Sequence, residues 1–105
     1  MDQKTENLPV QGKRVTVSQL TLEYENDECC IHMCGECDGV RYDLEFTNAS
    51  VVKINPDGNG FLIEGFEIID NKPRGFEADK RYFVNDYEYS SVSFYCEDFT
   101  VTESI

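Results

Sequence analysis

The alternation of apolar and polar positions along this chain predicts β-strands almost everywhere. The clearest stretch is residues 40–47, where apolar side chains at every second position are separated by polar ones. A period of two places one set of side chains toward a core and the other toward water. No window has the i, i+3, i+4, i+7 apolar spacing of an amphipathic helix. The inward row is predicted to be Val40, Tyr42, Leu44 and Phe46.

Six further segments show strand character. Residues 15–24 alternate but slip by one position near Gln19, which predicts a β-bulge. Residues 29–34 alternate again, with Cys30, His32 and Cys34 on one face. The last strand begins at residue 92 and slips at Glu97. The remaining strands are expected at residues 51–54, at residues 61–69 in a central position, and at residues 81–84 as an edge.

Turn-forming residues separate these segments. Asp57-Gly58-Asn59-Gly60 is a strong hairpin signal, and residues 35–39 are expected to form a turn that includes Cys37. Short strands punctuated by turns are typical of antiparallel all-β folds. We therefore predict one all-β domain, an antiparallel β-sandwich or partly open β-barrel, over residues 14–105. Residues 1–13 lack periodicity and are expected to be a flexible N-terminal segment.

The composition favours a single soluble, cytoplasmic domain. The chain has 105 residues, of which 40% are hydrophobic and 12% aromatic. This is enough for one modest core. The longest apolar run is Phe61-Leu62-Ile63, so neither a secretory signal nor a membrane helix is predicted.

Charge is the most informative feature of the composition. The chain has 21 acidic residues against 9 Lys and Arg, a formal net charge of −12. Residues 15–40 contain six carboxylates, and residues 82–105 contain five, with no Lys or Arg in either segment. Such a surface repels nucleic acid and anionic membranes and attracts basic proteins. The charge exceeds the magnitude of about 2–8 that suffices for solubility in a small domain.

Aromatic side chains accompany the carboxylates of the second segment, as an interface facing Arg and Lys would require. If the two segments share one side of the scaffold, they form a continuous negative surface. The residues predicted to bind a partner are Glu23, Glu25, Asp27, Glu28, Asp86, Tyr87, Glu88, Tyr89, Tyr95, Glu97 and Asp98.

The cysteines raise the question of a metal. Cys34 and Cys37 have the CxxC spacing of a zinc knuckle, and Cys30, His32 or Cys96 could complete a tetrahedral set. The second CxxC of a zinc ribbon is missing, so we expect reduced, mostly structural cysteines without a metal or other cofactor. A small zinc-stabilised adaptor module remains an alternative.

Catalysis is not expected from this sequence. A pair formed by the single histidine, His32, with Cys34 or Cys96 has the right residue types for nucleophilic chemistry. Neither an orienting third group nor an oxyanion site can be identified. Residues 97 and 98 are adjacent carboxylates on a strand, where neighbours point to opposite faces.

The acidic strands, together with the stretch from Tyr82 to Tyr89 and that from Val92 to Asp98, resemble the small β-rich immunity proteins that bacteria encode beside polymorphic or contact-dependent toxins. The resemblance implies a tight one-to-one complex that blocks a toxin's active site or substrate groove. Together with the acidic charge, this predicts a non-enzymatic inhibitor of a basic target, such as a nuclease or another enzyme acting on a polyanion. Phage-encoded inhibitors of host defence nucleases, including nucleic-acid mimics, share these features and remain an alternative.

Overall fold

Among the residues that the computed structural model describes, all regular structure is β-strand. The structure describes residues 8–55, 61–71 and 81–103. These residues contain no helix that could span a membrane. The eight strands are β1 (Lys13–Glu25), β2 (Glu28–Cys37), β3 (Val40–Thr47), β4 (Ser50–Ile54), β5 (Phe61–Asp70), β6 (Tyr82–Asp86), β7 (Val92–Cys96) and β8 (Asp98–Glu103).

The strands form one antiparallel sheet in the order β4-β7-β6-β5-β1-β2-β3-β8. The predicted all-β antiparallel class is therefore confirmed. The central position expected for residues 61–69 is also confirmed, because β5 lies between β6 and β1. The prediction of an edge strand at residues 81–84 is wrong. β6 pairs with both β5 and β7, and its alternate side chains are buried.

Two bent strands bring the ends of this sheet together. Only Asn48 and Ala49 separate β3 from β4, and only Glu97 separates β7 from β8. β3 pairs with β8 while β4 pairs with β7, so the two bent strands run side by side through their corners. At the corner the amide of Glu97 donates to the carbonyl of Thr47 at 2.9 Å. The sheet thus curls on itself, consistent with the predicted sandwich or partly open barrel.

Both predicted slips in alternation correspond to irregularities of the sheet. The register of β1 against β2 shifts between Val17 and Gln19, as a bulge requires. The slip near Glu97 is the corner between β7 and β8. The turn after β2 is shorter than expected, because β2 continues to Cys37 and only Asp38 and Gly39 connect it to β3. Both residues have positive φ, 53° and 79°, as a two-residue type I′ hairpin demands.

The core lies inside the curled sheet. Phe46 and Phe94 meet edge to face with ring centroids 4.9 Å apart, and Tyr82 and Phe99 do the same at 4.9 Å. In the predicted inward row of β3, Leu44 and Phe46 are fully buried, whereas Val40 and Tyr42 are half-buried nearer the strand's start.

Residues 8–12 already belong to the packed domain. Val10 is fully buried. The side-chain amide of Gln11 donates to the carbonyl of Ile68, and its oxygen accepts from the amide of the same residue, both at 2.9 Å. Part of the segment predicted to be flexible therefore contributes to the core. The hairpin predicted at Asp57-Gly58-Asn59-Gly60 lies outside the described residues.

Candidate functional site

The β1–β2 hairpin projects an exposed acidic end from the sheet. We call residues 22–28 the hairpin end. All seven side chains are exposed, and four of them are carboxylates. Asn26 and Asp27 have φ values of 53° and 65°, so the hairpin closes with a two-residue type I′ turn. Glu25 and Glu28 are directly opposite each other at its base. Like charges in that position repel.

The hairpin end also carries two apolar side chains beyond the reach of the core. Leu20, Leu22 and Tyr24 share the inner face of β1, because they pair with the buried Met33, Ile31 and Cys29. Exposure increases along this row, from the half-buried Leu20 to 39% for Leu22 and 78% for Tyr24. Tyr24 therefore lies on the inner face, while Glu23, Glu25 and Glu28 lie on the outer face of the same hairpin end. An exposed tyrosine close to carboxylates is a combination used by interface anchors.

A second group of predicted residues lies in the turn after β6. Asp86 ends β6 and is fully buried, so its side chain has no surface to offer a partner. Its carboxylate instead accepts hydrogen bonds from the Ser91 hydroxyl at 2.6 Å and from the backbone amides of Gly65 and Glu88, each at 3.0 Å. Longer bonds come from the amides of Glu64, Tyr89 and Ser91.

This network determines both the charge and the shape of the turn. Burial alone would raise the pKa of Asp86. The hydrogen bonds from Ser91 and from the amides of Gly65, Glu88 and Tyr89 outweigh burial, so the pKa of Asp86 lies below its ordinary value of 3.8. Asp86 thus remains ionised and holds residues 87–91 in place.

The two tyrosines of this turn differ in how much they contact their own domain. Tyr87 packs its ring against Gly65, and its hydroxyl donates to the carbonyl of Gly12 at 3.3 Å. Tyr89 is 74% exposed. Glu88 is exposed between them. Tyr89 and Glu88 are therefore accessible to a partner, whereas Tyr87 partly packs against its own domain.

The remaining predicted residues lie at and beside the corner between β7 and β8. Tyr95 is half-buried and packs against Phe83 with ring centroids 4.8 Å apart. Glu97 and Asp98 are exposed. Asp98 pairs with Thr47, and Thr47 lies one position beyond the Ile31–Phe46 pair.

The structure groups some of these residues and separates others. Glu23 pairs with Cys30, and the row continues through Thr47 to Asp98, three strand spacings or about 14 Å across the outer face. The hairpin end and the corner therefore share one end of the domain. Tyr87 instead contacts Gly12, beside the start of β1. Ten residue steps, or about 33 Å of strand, lie between Gly12 and the start of the hairpin end at Leu22, so Tyr87 and Tyr89 lie far from the hairpin end.

The outer face of β2 and β3 holds a cluster that the sequence analysis did not assemble. The ligand atoms of His32, Cys34 and Asp43 all lie within 4.8 Å of one another. The Cys34 thiol donates to the Asp43 carboxylate at 3.1 Å. This hydrogen bond, then burial and the negative charge of Asp43, raise the pKa of Cys34. A protonated thiol is a poor nucleophile, so the pair does not resemble an activated catalytic cysteine.

A shallow pocket of about 150 Å³ adjoins this cluster on the same face. It includes His32 and opens between carboxylates of β1 and β3. The pocket is lined by Glu23, Cys30, Ile31, His32, Glu45, Phe46 and Thr47.

The zinc-knuckle alternative fails on strand geometry. Cys34 and Cys37 are three residues apart on one strand, so they point to opposite faces. Cys34 faces outward, whereas Cys37 is buried with its sulfur 3.9 Å from the carbonyl of Pro9. The expectation that Cys37 lies in a turn is also wrong. Cys29 and Cys96 are buried in the core, and all five cysteines are free.

Comparisons with known proteins add no relative: no protein-family model, curated protein or solved structure matches this chain.

Proposed function

We propose that this protein is a non-enzymatic acidic inhibitor that binds a basic protein partner through its hairpin end. The observation that carries the proposal is the exposure of Tyr24 at the same hairpin end that carries four exposed carboxylates. A large side chain on the core-facing side of a strand is normally covered. A partner that wraps around this end would gain apolar burial on the inner face and charge contacts on the outer face.

Electrostatics favour a cationic partner. The Glu25–Glu28 pair places two negative charges opposite each other, with Glu23 and Asp27 adjacent. An Arg or Lys inserted between them would replace a repulsion with two attractions. Asp98 extends the same negative end across the outer face. The net charge of −12 would also accelerate encounter with a basic surface.

The class of partner follows from the same chemistry. Enzymes that act on polyanions, such as nucleases, need a basic substrate groove. A projecting hairpin carrying spaced carboxylates can occupy such a groove and exclude the substrate. This supports the proposal of an immunity protein that neutralises a bacterial toxin, with a nuclease as the leading target class.

Affinity capture with a matched control tests the proposal. The reversal Glu25→Lys/Glu28→Lys changes the hairpin end, whereas Glu36→Lys/Glu103→Lys makes the same charge change at exposed positions on β2 and β8, level with Thr16 and Val17 and away from the hairpin end. A proteomic comparison of host lysates should identify a basic protein that is retained by the wild type and by the control pair and lost by the hairpin pair.

Kinetics with that purified partner complete the test. Added salt and the hairpin reversal should both slow association, because both weaken long-range attraction. Tyr24→Ala should instead speed dissociation and cost about 2 kcal/mol or more of binding free energy. A partner lost equally by both reversal pairs would show that only net charge matters, and the hairpin end would then not be the binding site.

A further inference from the structure

We propose that His32, Cys34 and Asp43 form a zinc-binding site on the outer face of β2 and β3. Their ligand atoms already lie within 4.8 Å of one another. Ligands of a tetrahedral zinc ion bind at about 2.0–2.3 Å, so neighbouring ligand atoms must lie about 3.3–3.8 Å apart. Side-chain rotations that move the ligand atoms by about 1–1.5 Å would bring them to this spacing.

The strand register explains why these three side chains converge. Cys34 and Asp43 are directly opposite each other in the β2–β3 ladder. His32 precedes Cys34 by two residues and so points to the same face. All three donors therefore stand on paired strands in the interior of the sheet, where β1 and β8 flank them.

The donor set selects the metal. A thiolate and an imidazole favour zinc over the hard cations magnesium and calcium, and a single carboxylate is compatible with it. The thiol proton of Cys34 now lies in the hydrogen bond to Asp43. Metal binding would displace this proton, which would be released to water. Three protein ligands leave the fourth position to a water molecule. His32 is exposed and borders the pocket, which provides access for that water.

Cobalt(II) substitution tests the site on the full chain. After treatment with a chelator, the wild type should bind one equivalent of Co²⁺ with a cobalt–thiolate charge-transfer band, and Zn²⁺ should displace it. Cys34→Ser should abolish the band. His32→Gln and Asp43→Asn should weaken binding by more than about 100-fold, because changing even the outer-shell partners of a metal costs 10–100-fold.

Cys30→Ser is the matched control, since Cys30 lies on the same strand and face and is equally half-buried. This variant should keep the stoichiometry and the band. The far-ultraviolet circular dichroism of each variant shows that the sheet is intact. Absence of a thiolate band in the folded wild type would overturn the proposal. A band that survives Cys34→Ser but disappears in Cys30→Ser would also overturn it, because the metal would then be held elsewhere.

Discussion

The hydroxyl of Ser91 donates a 2.6 Å hydrogen bond to the carboxylate of Asp86, and both residues are buried at the turn between β6 and β7. Five backbone amide bonds converge on the same carboxylate. An ionised group in this position needs all of these donors to offset the loss of water. The turn that carries Tyr89 therefore depends on the charge of one buried residue.

Stability should fall in acid through Asp86. Its pKa in the folded state lies below the ordinary value of 3.8, so the unfolded state takes up a proton first as the pH drops. The contribution is fully present well above pH 3.8 and is lost as the pH falls through the folded-state pKa. Urea unfolding from about pH 6 to about pH 3 should show this loss for the wild type.

Asp86→Asn provides the control for this pH dependence. The variant should lose about 1–3 kcal/mol at neutral pH, because an amide nitrogen would face backbone donors. It should also show a shallower acid slope, since the titrating group is gone. Equal slopes in the two proteins would assign the acid sensitivity to other carboxylates.

Gly65→Ala should destabilise the protein by about 1–3 kcal/mol through overpacking. A Cβ atom at this position would lie 2.7 Å from the ring of Tyr87 and 2.9 Å from Cγ of Glu88. Chemical denaturation of the two single variants and of the double variant Gly65→Ala/Tyr87→Ala measures the coupling. The loss of unfolding free energy caused by Gly65→Ala should be smaller in the Tyr87→Ala background. Additive costs would show that the ring is not what excludes a side chain.

Cys37→Ser should cost about 1 kcal/mol or more, whereas Cys30→Ser should stay within about 0.5 kcal/mol. Cys37 is buried and faces the core, so the hydroxyl would lose its contact with water. Cys30 is half-buried on the outer face. Thermal unfolding of both variants in reducing buffer compares them directly. If the two costs are equal, the assignment of Cys37 to the inner face is wrong.

Phe46→Ala should cost about 3–5 kcal/mol, as expected for removal of a core phenylalanine. Its ring contacts Phe94 and also lies 6.5 Å from Phe99, so the variant leaves a cavity among aromatic rings. Tyr24→Ala, an aromatic truncation at a 78% exposed site, should change the free energy of unfolding by less than about 0.5 kcal/mol. Urea unfolding midpoints distinguish them, and a large loss for Tyr24→Ala would mean that the hairpin end packs against its own domain.

The sequence predicts the strands well because alternation depends only on neighbouring residues. It predicts the bulge near Gln19 and the break at Glu97 for the same reason. The burial of Asp86 could not be predicted, because it depends on the pairing of β5 with β6 and on a hydrogen bond from an amide 21 residues away. An aspartate at the start of a turn commonly accepts hydrogen bonds from nearby backbone amides, but this pattern does not show whether the side chain is buried.

The His32–Cys34–Asp43 cluster could have been predicted from the sequence. Cys34 and His32 share a face by alternation alone. Their partner across the ladder follows once Asp38-Gly39 is identified as a two-residue turn, since that turn pairs Cys37 with Val40 and therefore Cys34 with Asp43. Treating residues 35–39 as one longer turn concealed this register.

The bent strands also determine how the domain must assemble. The Thr47–Asp98 contact closes a chain segment of 51 residues, so the corners can form only after distant parts of the chain have met. Such high contact order predicts slow folding for a domain of this size. Each bent strand has one half at one end of the strand order and its other half at the opposite end. Opening either corner would therefore disturb both the β3–β8 and the β4–β7 pairing. The amides around the corners should therefore exchange with solvent only through global unfolding.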